Sequence, residues 1–112
     1  MCLLCQTGSY GALTYKPEDA TLLPDGSLRL NCRSDNLAPI VWSFTKENST
    51  NRQTLATDDT VQPSFIELFR IDESNKYDLI ATMTSNTEPY CGEYECADLD
   101  GLGEKANATV AS

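Results

Sequence analysis

Residues Ser27 to Arg33 alternate without a fault: Leu28, Leu30 and Cys32 fall on one side, Ser27, Arg29, Asn31 and Arg33 on the other. Successive side chains of a strand point to opposite faces, so this period of two marks a strand with one buried face. Ile40 to Lys46 repeats the pattern, with Ile40, Trp42 and Phe44 sharing a face. No segment keeps a helical period for ten residues, so the chain reads as all-β.

Other strands follow from short apolar or β-branched runs between turn signals. Leu13 to Tyr15 and Thr21 to Leu23 make a first strand split by Lys16, Pro17, Glu18 and Asp19, and Pro24, Asp25 and Gly26 form a turn. Phe65 to Ile71 and Tyr77 to Met83 read as a hairpin around the charged stretch Asp72 to Lys76. Gly92 to Leu99 is joined to Lys105 to Ala111 through Asp100, Gly101, Leu102 and Gly103. The polar stretch Glu47 to Ser64 is expected to be a long connection with room for one short edge strand. With 112 residues, the chain has the size of one domain, and no apolar run approaches the roughly 20 residues that cross a bilayer.

Five cysteines in so short a chain point to an oxidising compartment. Two sequons, Asn48-Ser49-Thr50 and Asn107-Ala108-Thr109, mark Asn48 and Asn107 as candidate glycosylation sites and add weight to the extracellular side. Met1 to Cys5 has neither the basic start nor the apolar length of a signal peptide and reads as a trimmed start, so the absence of a leader or anchor from this sequence does not argue for a cytosolic protein. Seventeen acidic against eight basic residues give a net charge of −9, which opposes nucleic acid and anionic lipid as partners.

Cys32 closes one alternating strand, Trp42 follows in the next, and Cys96 comes with Tyr94 two residues before it. This Cys, Trp, Tyr-x-Cys order resembles the immunoglobulin superfamily, over about residues 10 to 112. The resemblance implies a two-sheet antiparallel β-sandwich with Greek-key connections, of variable or intermediate type. It also implies a Cys32 to Cys96 disulfide between the sheets, Trp42 packed on it, and Tyr94 bonded back to the preceding corner. One departure stands out: the family usually writes Asp-x-Gly-x-Tyr-x-Cys, whereas Tyr90 here holds the aspartate's place ahead of Gly92, Tyr94 and Cys96. The corner is then expected to be held differently, with Cys91 the suspect.

The first family strand is expected near Tyr10, leaving residues 1–9 as an extension with Cys2 and Cys5. Nine extended residues reach up to about 30 Å, far enough for Cys5 or Cys2 to meet Cys91 in an extra disulfide. Zinc is the competing reading of the Cys2-x-x-Cys5 spacing, but a second ligand pair is missing and the chain has no histidine. The same pair lacks the βαβ setting of a redox site. No metal and no cofactor are expected.

Without histidine, the commonest general base and every Ser-His or Cys-His nucleophile are gone, so catalysis is not expected. Gly101-x-Gly103-x-x-Ala106 matches a loose dinucleotide pattern with too little chain after it for the helix and strand such a site needs. Asp98 to Gly101 resembles the start of a calcium loop but lacks the later ligands. The function expected from the resemblance is recognition of an extracellular protein at the cell surface, with homophilic binding open. Asp35, Asn36, Asp98 and Asp100 form the candidate binding loops at one acidic tip, and the sheet that carries Phe44 is the other candidate surface. Alternatives are a secreted effector or decoy, a spacer in a longer array, and an intracellular muscle-type domain, against which the cysteines and sequons weigh.

Overall fold

The computed structural model describes residues 13–22, 26–34, 39–72, 77–82, 90–98 and 104–111. Its strands are β1 (Leu13–Tyr15), β2 (Ala20–Thr21), β3 (Ser27–Leu30), β4 (Arg33–Ser34), β5 (Ile40–Lys46), β6 (Arg52–Thr57), β7 (Thr60–Val61), β8 (Phe69–Asp72), β9 (Asp78–Thr82), β10 (Gly92–Asp98) and β11 (Lys105–Ala111). Among the described residues they form one sheet in the order β2-β11-β10-β5-β6-β7 and a second in the order β3-β9-β8, with β1 paired to β4. Leu30, Cys32 and Ser34 are buried while Arg29 and Asn31 are exposed, so the alternation runs unbroken from β3 into β4. The β1–β4 pair therefore extends the smaller sheet. The chain changes sheets after β1, β2, β4, β7 and β9, and the last three crossings give the Greek-key pattern of a two-layer sandwich.

The first strand is split for a physical reason. β1 lies antiparallel to β4 in one sheet, and β2 lies parallel to β11 in the other, with Val110 opposite Ala20. Pro17, which has no N–H to give a ladder, falls in the crossing between them. Asp19 supports the crossing by accepting the Thr109 N–H at 2.8 Å. Glu104, just before β11, accepts the Leu13 N–H at 2.8 Å and pairs with Lys16 at 2.6 Å. The Lys16 ammonium first, and the Leu13 N–H second, hold the Glu104 carboxyl below the usual carboxylate range.

Between the sheets lie Leu30, Cys32, Ile40, Trp42, Leu55, Leu79, Tyr94, Cys96 and Val110, each at most 2 % exposed. At one end the core becomes aromatic. Phe44 and Tyr94 stack tilted at 4.7 Å, and Phe65, Phe69 and Tyr90 continue the contact edge to face.

Two stretches differ from the sequence reading. Glu47 to Ser64 holds two strands, β6 and β7, rather than one short edge. Trp42 faces Ala56 while Ser43 faces Thr54, so Leu55 is an extra residue in the ladder, and Leu55 and Ala56 are both fully buried. This bulge erases the alternation that would have announced the strand. Phe65 to Ile71 is not a continuous strand either. A helical turn follows Pro63, with the Leu68 and Phe69 N–H groups bonded to the Phe65 carbonyl, and β8 begins at Phe69. The spacing of Phe65, Leu68 and Phe69 fits one face of that turn and leaves Ile66 62 % exposed.

Candidate functional site

Cys32 and Cys96 are joined by a disulfide with their Cα atoms 6.5 Å apart. The Trp42 indole N–H donates to the Tyr77 carbonyl at 2.8 Å, satisfying the polar end of a side chain that is otherwise sealed in the core. Tyr94 donates from its hydroxyl to the Tyr90 carbonyl at 2.5 Å, and burial pushes its phenol pKa upward, with Cys91 and Tyr90 acting in the same direction. Tyr94→Phe leaves that carbonyl without its donor. It is expected to cost about 1–2 kcal/mol in a urea melt while keeping the disulfide intact.

The corner that lacks the family aspartate is held by Tyr90 itself. Its carbonyl takes the Tyr94 bond and its ring packs edge-on to Phe69 at 5.7 Å. Cys91 is 3 % exposed, and its carbonyl accepts the Glu47 N–H at 2.9 Å. Cys2 and Cys5, the expected partners of Cys91, lie outside the described residues, as does the whole 1–9 extension.

The broad surface of the molecule is the outer face of the six-stranded sheet. Register places its outward side chains in three rows across β11, β10, β5 and β6. Lys105, Ala97, Val41 and Thr57 form the first, Asn107, Glu95, Ser43 and Thr54 the second, and Thr109, Glu93, Thr45 and Arg52 the third. Arg52 reaches across β5 along its own row to Glu93 at 3.4 Å and diagonally to Glu95 at 2.6 Å. With its amide nitrogen turned toward Glu95, Asn107 donates to that carboxylate at 3.2 Å. Within these three rows two acids, Glu93 and Glu95, thus balance two bases, Arg52 and Lys105, while the whole chain carries −9. Most of the remaining positions are short Ser, Thr, Val or Ala side chains, so a second surface can approach the backbone plane closely.

The outer face of the smaller sheet is different. Arg29 and Arg70 flank Ile80 in register. Arg29 bridges Asp72 at 2.9 Å and Asp78 at 3.0 Å, and the Asp78 carboxylate also accepts from Asn31 and from the Cys32 N–H. The charges of Arg29, Asp72 and Asp78 thus tie neighbouring strands together. At the β1 edge, Arg33 stacks over Tyr15 at 4.9 Å.

Of the candidate loop residues, Asp35, Asn36 and Asp100 lie outside the described residues. Asp98 ends β10 opposite Ile40 and is only 9 % exposed, so it belongs to the sheet rather than to a projecting tip. Asn48 sits exposed in the β5–β6 turn with a φ of 65°, a conformation asparagine tolerates. Asn107 is exposed in the middle row of the broad face. Sequence reasoning did not single out Arg52, Glu93 or Glu95. The alternation around Tyr94 and Cys96 already put both glutamates on the outer side, whereas the bulge hid Arg52.

No family model matches the sequence, and no curated protein matches it. Solved structures do. The chain superposes on "Crystal structure of Dpr1 IG1 bound to DIP-eta IG1" with a TM-score of 0.68 and 12 % identity, over 94 % of this chain and 98 % of that one. The chain has an immunoglobulin fold. Two further immunoglobulin structures, "Crystal structure of Dpr2 Ig1-Ig2 in complex with DIP-Theta Ig1-Ig3" and "Crystal structure of DIP-gamma IG1+IG2", match with TM-scores of 0.67 and 0.66 at 15 % and 13 % identity. They cover 90 % and 91 % of this chain, which spans about a third and a half of those two longer chains (33 % and 48 %).

Proposed function

We propose that this immunoglobulin domain is an extracellular recognition module that binds another protein through the outer face of its six-stranded sheet. The observation that carries the reading is the charge-balanced grid of short side chains on an otherwise strongly acidic chain. A like-charged partner is repelled by most of the surface but not here. The grid also suits a second copy of itself, because Arg52 of one copy can take Glu93 or Glu95 of another in place of its own. The disulfide and the two sequons support an extracellular setting. Structures of the same fold include one immunoglobulin domain bound to another, which makes that class of partner the natural one to test.

The four central strands make a plate of about 19 Å by 23 Å, small beside the roughly 800 Å² per partner of a standard interface. The contact is therefore weak and reversible. Sedimentation equilibrium on glycan-free protein is expected to show a concentration-dependent dimer that Ser43→Arg, at the centre of the plate, weakens at least tenfold. Arg70→Glu on the opposite sheet should leave it unchanged. A chain that stays monomeric at all concentrations, or that dimerises equally well with Ser43→Arg, refutes the proposal.

A further inference from the structure

We infer that N-glycosylation at Asn107 gates the docking face, an inference that rests on the reading of that face just given. On β11, Ala106, Ala108 and Val110 are turned toward Cys96, Tyr94 and Gly92, while Asn107 and Thr109 alternate outward and are exposed. A sugar on Asn107 therefore disturbs no core residue. It replaces the amide's hydrogen bonds to Glu95 and to the Ala106 carbonyl.

Its position makes it consequential. Asn107 heads the central row of the grid, with Glu95 one strand away and Ser43 two strands away, about 10 Å at the usual strand spacing. The first sugars of an N-linked glycan span that distance. A flexible, hydrated chain anchored there excludes a second protein from the middle of the plate and breaks the Arg52, Glu93 and Glu95 exchange that a partner would use. The other sequon behaves differently. Asn48 lies in the β5–β6 turn, beyond the row of Thr45 and Arg52, so a glycan there caps the end of the sandwich and leaves the plate open.

The domain is thus binding-competent only when the Asn107 sequon is empty or trimmed. The test uses protein secreted from a glycosylating host, with site occupancy read by intact mass and glycopeptide mapping, and self-association read by sedimentation equilibrium. Thr109→Ala and wild type trimmed by an endoglycosidase to the first sugar, which keeps the Asn107 amide uncharged, are each expected to dimerise at least tenfold more tightly than the fully glycosylated chain, whereas Thr50→Ala is expected to match wild type. The enzymatic arm decides the question if Thr109→Ala is poorly secreted. An unmodified Asn107 on the secreted chain, or equal dimerisation with and without its glycan, overturns the gate. If Ser43→Arg still blocks dimerisation of the deglycosylated chain in that case, the docking face survives. If Ser43→Arg has no effect either, the docking face itself is wrong.

Discussion

Replacing both half-cystines, as Cys32→Ala with Cys96→Ala, is expected to lower stability by about 4 kcal/mol and leave the domain largely unfolded at 37 °C. The bridge closes a sequence separation of 64 residues. On the chain-entropy account, a loop of that length restricts the unfolded ensemble by about 4 kcal/mol, against a total of roughly 5–15 kcal/mol for a small domain. Packing adds to the loss, because both sulfurs lie at the centre of the core with no exposure. Urea melts of secreted wild type and of the double variant measure the effect. A shift below about 1 kcal/mol would mean that the aromatic and aliphatic core holds the sheets together unaided.

The parts of this fold that were legible in the sequence are those where burial and period agree. Leu30, Ile40, Trp42, Phe44, Tyr94 and Cys96 lie on strands whose opposite faces are mostly polar, Cys32 keeps the same alternation between β3 and β4, and the inner faces of both sheets can be read from them. Legibility fails where local geometry departs from the period of two. The extra residue at Leu55 puts two neighbours into the core and makes β6 look like a polar connection. After Pro63 the chain winds one helical turn, because Phe65 and Phe69 reach the aromatic cluster together only at that spacing. The candidate surface was half legible. Asn107, Glu93 and Glu95 are outward on any reading of their strands, but their assembly into one grid with Ser43 and Arg52 depends on β5 and β10 pairing at the centre of the sheet. No local pattern specifies that pairing. Asp78 is the clearest omission: on sequence it is one acid among seventeen, yet its carboxylate gathers Arg29, Asn31 and the Cys32 N–H around the strand that carries the disulfide.

Gly92→Ala is expected to destabilise the domain by about 2–4 kcal/mol, although it adds one methyl group to a strand whose neighbours are all in place. Gly92 has a φ of +151°, outside the range that side chains adopt without strain, which costs about 1–3 kcal/mol. A Cβ there would also lie 2.2 Å from the Thr45 carbonyl oxygen and 2.8 Å from the Glu47 backbone nitrogen. Both are backbone atoms of the neighbouring strand and turn, so no side-chain rotation relieves the contact, and overpacking of this kind adds about 1–3 kcal/mol. The strand must move or the ladder must part. It would part where β10 meets β5 at Lys46 and where Glu47 bonds to Cys91, next to Tyr90, which holds the corner. Chemical denaturation gives the loss directly, and hydrogen exchange locates it. Faster exchange is expected at the Glu47 amide and along the Lys46 end of β5, with the Ile40 end of that strand still protected. Wild-type stability together with unchanged exchange at Glu47 would show that the ladder can open at this point without cost, and that the tight approach of Gly92 to Thr45 is not what fixes the register.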